Sequence, residues 1–138
     1  MKVFADTIFL VSAFATRGLS ADVFQLILSK HELQTGEFNL MELWRILREK
    51  LKLPQPVADE VDNLLRQHHV EPVPEQPSEF IVRDPDDRWV LASARNAGAQ
   101  ILITGDQDLL DVADQIDSIH ILTPRGFWEL ERSGCNLS

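Results

Sequence analysis

The chain has 138 residues, 44% of them hydrophobic and 25% charged, with a formal net charge of −9. That composition excludes a disordered segment and a protein that grips nucleic acid by bulk positive charge, and the length suits one compact domain with its own core. It does not exclude a nuclease, because an acidic pocket for divalent cations adds negative charge that the cations locally reverse.

The first fifteen residues combine Lys2 with an apolar run and superficially look like a signal peptide, but Asp6 interrupts the run. No other segment reaches the ~18 apolar residues of a membrane helix, so a soluble, untargeted, cytoplasmic protein without membrane association is expected. Residues 2–6 predict a strand that ends in an acid. A helix follows over 21–30 with Ser20 as N-cap, then a short strand at 33–35 and a helix over 38–50. Pro56 suits the first turn of the next helix, in which Val57, Val61, Leu64 and Leu65 recur at helical spacing. A strand is expected near 70–73, and prolines between 72 and 77 require loop. The pattern then predicts a helix over 85–97, a turn at Gly98, a strand over 100–104 and a short helix at 107–111. A strand at 118–122 and a closing helix from Pro124 complete the chain. This alternation implies an α/β layer fold with a mainly parallel sheet. One domain is expected over 1–131, followed by a polar tail over 132–138 whose Cys135 reads as an inert thiol.

In such sheets ligands gather beyond the carboxyl ends of the strands. Asp6 ends the first strand, and Asp106 follows Ile101-Leu102-Ile103-Thr104 by two residues, so both fall at that edge. On the helix starting at Pro85, Asp87 shares a stripe with Val90, Leu91 and Ala94, which turns it inward in the first turn. Converging carboxylates repel one another unless a cation lies among them. Taken singly, each has another explanation. Asp84 is an ordinary N-cap before Pro85, Asp86 and Asp87 favour a helix N-terminus, and Asp106 and Asp108 do the same for their short helix. Glu42 lies nearly opposite the stripe Leu40, Leu43, Trp44 and Leu47, which by itself indicates a solvated side chain.

Several landmarks occur in order: Ala5-Asp6-Thr7 with Phe9-Leu10-Val11-Ser12-Ala13, Glu42-Leu43-Trp44-Arg45-Ile46-Leu47, Arg83-Asp84-Pro85-Asp86-Asp87, Ile103-Thr104-Gly105-Asp106-Gln107-Asp108-Leu109-Leu110, and Ile121-Leu122-Thr123-Pro124. With them the sequence resembles the PIN-domain family, in particular the toxin components of bacterial toxin–antitoxin pairs, from Lys2 to about Leu130. The resemblance implies a Rossmann-like three-layer α/β/α sandwich and a metal-dependent ribonuclease. It implies a metal-holding catalytic quartet of Asp6, Glu42, Asp87 and Asp106, which raises Glu42 above its own pattern. Asp84 and Asp108 follow as secondary candidates, reaching the metal through water. Thr7 and Thr104 are placed to hydrogen-bond the acids, with strand-end turns as the equal alternative. An antitoxin protein and a homodimer built partly on the helix around 57–65 are the expected partners. The family usually follows its first Asp-Thr with Asn, and here position 8 is Ile8.

All-carboxylate ligation suits Mg²⁺ or Mn²⁺ better than zinc. His31, His68, His69 and His120 show no ligand-like spacing. Arg17, Arg45 and Arg48 are the candidate contacts to RNA phosphates, Arg83 and Arg88 are candidate neutralisers of the Asp cluster, and Trp44, Trp89 and Trp128 read as core. A dehalogenase-like phosphatase would need an acid where Ile8 stands, and no glycine-rich dinucleotide fingerprint follows the first strand. The alternative to an enzyme is a catalytically degenerate PIN-like module that binds RNA or protein.

Overall fold

Val3 and Ala5 enter one hydrophobic cluster while Phe4 enters another, so the first strand is apolar on both faces. A strand buried on both sides belongs at the centre of a parallel sheet covered by two helical layers. The computed structural model, which describes residues 1–134, has this arrangement. Strands β1 (Lys2–Ala5), β2 (Glu32–Gly36), β3 (His69–Glu71), β4 (Ile101–Ile103) and β5 (His120–Leu122) form one sheet in the order β3-β2-β1-β4-β5. Every pairing is parallel. Ile101 and Ile103 join Val3 and Ala5 on one face, and Leu102 joins Phe4 on the other. Helices α1 (Thr7–Ala15), α2 (Leu19–Lys30), α3 (Glu37–Arg45), α4 (Gln55–Leu65) and α7 (Pro124–Ser133) contribute to the first cluster. Helices α5 (Pro85–Asn96) and α6 (Gln107–Asp111) contribute to the second. This is the expected three-layer α/β fold.

Some expectations need correction. Residue 6 lies outside the first strand and caps α1, a helix that periodicity does not announce because Ile8 to Ala15 carry only one polar residue, Ser12. With no polar face there is no amphipathic signal to read. Ser20 is not the cap of α2. The helix starts at Leu19 after Gly18, whose φ of 142° is a conformation that favours glycine. The helix expected over 38–50 is regular only to Arg45, and a wide turn follows in which Leu51 N–H bonds the carbonyl of Ile46 at 3.0 Å. A single-turn 3₁₀ segment, Ala113–Gln115, was not anticipated.

One ion pair holds the start of α3, the helix that carries Glu42. Arg66 bonds Glu37 at the start of α3 through both η nitrogens, at 2.6 and 2.9 Å, which lowers the Glu37 pKa. Helix α7 runs two residues into the stretch read as tail, and Cys135 lies outside the described residues. Among the described residues, no single helix is long and apolar enough to cross a membrane.

Thr123 caps α7 by accepting the Gly126 N–H at 2.9 Å, and Phe127 in that helix is fully buried. Thr123→Ala should therefore cost about 1 kcal/mol of stability. Urea denaturation measures this directly, and an unchanged midpoint would show that the cap does not contribute.

A candidate metal centre at the carboxyl edge of the sheet

The strand order reverses between β1 and β4, and the carboxyl ends of strands beside such a switch are where α/β sheets leave a crevice. Ala5 is in register with Ile103, which sets Asp6 beside Thr104. The Asp6 carboxylate is 4% exposed and receives three hydrogen bonds. Its Oδ1 accepts from the Thr7 N–H at 2.8 Å and the Asn39 amide at 3.1 Å, and its Oδ2 accepts from the Thr104 hydroxyl at 2.6 Å. Burial dominates these bonds and pushes the Asp6 pKa up to about 6, with Asp106 repelling it further.

Thr104 joins two of the acids, since its hydroxyl also accepts the Asp106 N–H at 2.9 Å. Thr7 behaves differently. Its backbone N–H holds Asp6, whereas its hydroxyl meets Asn39, accepting from the amide at 3.0 Å and donating to the Asn39 carbonyl at 3.4 Å.

Asp87 occupies the first turn of α5 and is 5% exposed, as its place on the apolar stripe predicts. Its pKa is raised to about 8, first by burial, then by a carboxyl–carboxyl contact with Asp106 and by repulsion from Asp106, Asp6 and Asp84. Its Oδ2 is buried with no N–H or hydroxyl donor against it. A buried, unpartnered carboxylate oxygen among other carboxylates is unfavourable for the protein alone and is a natural ligand for a cation.

Glu42, half-buried on α3, also has a raised pKa, through burial and then repulsion from Asp86, Asp6 and Asp84. It therefore lies within electrostatic reach of the acids, although its angle from the apolar stripe indicates solvent. Trp44, assigned to that stripe, is the exposed residue of the pair. Its indole donates to Asp59 at 2.9 Å, and the Arg48 guanidinium lies 5.9 Å from its ring.

The secondary acids are close at hand. One ligand oxygen from each of Asp84, Asp87 and Asp108 lies within 4.8 Å of the others. Asp6, Asp84 and Asp106 each also cap the helix that follows, using one carboxylate oxygen on a backbone N–H. Capping and clustering thus coexist in the same residues. An all-oxygen donor set with an unpartnered buried member fits Mg²⁺ or Mn²⁺.

The basic residues are more dispersed. Arg45, three residues after Glu42 on α3, lowers the Glu42 pKa and so lies near that side chain. Arg48 donates to the Leu53 carbonyl at 2.8 Å. Arg17 follows α1, about 14 Å along that helix from Asp6 at 1.5 Å per residue. Arg88 does not neutralise the Asp cluster through a salt bridge; its Nε donates to the Ser78 carbonyl at 2.8 Å, tying down the proline-rich loop. The histidines lie elsewhere: His31 pairs with Glu131 and His69 with Glu71, each at 2.6 Å. Asn39 is the site residue missed in the sequence, and its only signal was its position three residues before Glu42.

A PIN-domain family model matches residues 2–108. Among solved structures, the chain is similar to Mycobacterium tuberculosis VapC20, a sarcin-ricin loop cleaving toxin. The identity is 18% and the TM-score 0.57, over 80% of this chain and 94% of that one. It is also similar to VapBC2 from Rickettsia felis, solved bound to a DNA fragment from their promoter. There the identity is 12% and the TM-score 0.62, over 89% of this chain and 98% of that one. No curated protein matches.

Proposed function

This chain belongs to the PIN-domain family, and from that premise we propose that it is a divalent-metal-dependent endoribonuclease, the toxin of a toxin–antitoxin pair. The observation that carries the reading is the unpartnered buried oxygen of Asp87, set against Asp106, Asp6 and Asp84. Asp6, Glu42, Asp87 and Asp106 would hold Mg²⁺ or Mn²⁺, with Asp84 and Asp108, which cluster with Asp87, as secondary candidates. The ion, when bound, supplies charge neutralisation at the phosphate and acidifies water. The remaining work falls to the chain. Asp6 is fixed in orientation by its three donors. One of these carboxylates, Asp106 or Asp87, would take the proton of the attacking water as the opposite P–O bond breaks, the leaving oxygen taking a proton from solvent.

The VapC20 likeness supports RNA as the substrate class, with Arg45, and less directly Arg48 and Arg17, contacting phosphates. The Rickettsia felis pair supports an antitoxin partner. Exposed Val57 and Leu64 on α4 support a homodimer there.

Incubation of the purified protein with mixed single-stranded RNA tests the reading. Cleavage should occur with millimolar Mn²⁺ and stop in EDTA. No cleavage, together with no rise in melting temperature on adding Mn²⁺, would favour the non-enzymatic binding module instead.

A further inference from the structure

Asn39 sits in the first turn of α3 with no solvent exposure. Both hydrogens of its amide are used, one on Asp6 Oδ1 at 3.1 Å and one on Thr7 Oγ1 at 3.0 Å. Its own Oδ1 is buried and has no hydrogen-bond partner. An amide placed for stability alone would satisfy both ends, because an unpaired buried acceptor is costly. Here only the donor end is served, and it is aimed at the carboxylate. The orientation follows from the contact: turned over, the amide oxygen would face Asp6 Oδ1.

A carboxylate offers about four acceptor sites. Thr7 N–H, Asn39 and Thr104 occupy three of them on Asp6, which leaves about one free for a cation and sets its direction. Ile8, the neighbour of Thr7, is half-exposed and brings no hydrogen-bonding group to this carboxylate. Gly36 makes room for the arrangement, since a Cβ there would stand 3.1 Å from Asn39 Oδ1 and 3.3 Å from Phe4 Cζ.

We propose that Asn39 is a positioning residue of the metal centre, whose side-chain amide reaches across from α3 to hold Asp6 in its ligating orientation and supplies the amide that position 8 lacks. This rests on the metal-site reading above. Asn39→Ala should weaken Mn²⁺ binding by about 10- to 100-fold, the usual effect of removing a group that orients a ligand. RNA cleavage should fall in parallel.

Titration calorimetry with Mn²⁺ alone, alongside melting in EDTA, separates the roles. A merely structural asparagine would lower the EDTA melting temperature and leave the Mn²⁺ affinity of the folded protein unchanged. Asn39→Ser, which keeps one donor and much of the polarity, should give an intermediate affinity, and it serves if the alanine variant does not fold. Gly36→Ala leaves Asn39 in the sequence but presses on its amide, and should weaken Mn²⁺ in the same direction. The proposal is overturned if folded Asn39→Ala or Asn39→Ser binds Mn²⁺ within about twofold of wild type, since removal of an orienting group costs far more. Failure of the wild-type protein itself to bind Mn²⁺ would overturn the metal reading and this one together.

Discussion

Asp6→Asn is expected to reduce metal-dependent RNA cleavage by at least about a hundredfold while the fold survives. Removing a group that merely orients a metal ligand commonly costs 10- to 100-fold, so loss of the ligand's charge should cost no less. The fold should tolerate the change because the asparagine Oδ1 keeps the bonds from Thr7 N–H and the Asn39 amide. The Thr104 hydroxyl, which now donates to Asp6 Oδ2, can rotate and accept from the new amide. A charge repelled by Asp106 also disappears. Rates with saturating Mn²⁺, compared with EDTA blanks and with the circular dichroism of both proteins, give the answer. A folded Asp6→Asn protein that cleaves within about tenfold of wild type would remove Asp6 from the machinery.

The metal-free protein should lose stability as pH rises from about 5 to 8, and Mn²⁺ should restore it. Asp6 and Asp87 have folded pKa values raised to about 6 and about 8. An unfolded aspartate titrates near 3.9. Between those values the folded state holds protons that the unfolded state has released, so stability falls with pH over about 4 to 6 for Asp6 and about 4 to 8 for Asp87. The metal must displace those protons, so the Mn²⁺-induced rise in melting temperature should be larger at pH 8 than at pH 5. Asp87→Asn should flatten much of the EDTA slope and also lose the Mn²⁺ response. Melting in EDTA that is level or rising over this range would show that the two carboxylates are not held against their ionisation.

Some of the site could be read from local pattern. Asp6 and Asp106 were placed at one sheet edge because each follows an apolar strand, and the all-parallel sheet puts those strands side by side. Asp87 was turned inward by its spacing from Val90, Leu91 and Ala94, and it is buried. Glu42 shows where local pattern fails. Helical angle orients a side chain relative to its own helix, but a neighbouring helix end can cover a face that looks polar, and here the acids at the start of α5 come up to it. Trp44 failed in the converse way, since an apolar residue on the stripe still lies exposed where α3 meets α4.

Helix α1 was invisible for another reason. Periodicity reports a contrast between two faces, and a helix of nearly uniform apolar character has none.

The sequence by itself therefore determined most of the alternation of strands and helices, the placing of Asp6 and Asp106 after apolar strands, and the inward turn of Asp87, because each depends on residues a few positions apart. Only the tertiary structure decided that Asn39 holds Asp6 and that Thr104 bridges Asp6 to Asp106. It alone decided that the Asp87 oxygen is left without a donor. The two side-chain bonds to Asp6 join residues 33 and 98 positions apart, and their strength depends on burial that no single segment can specify.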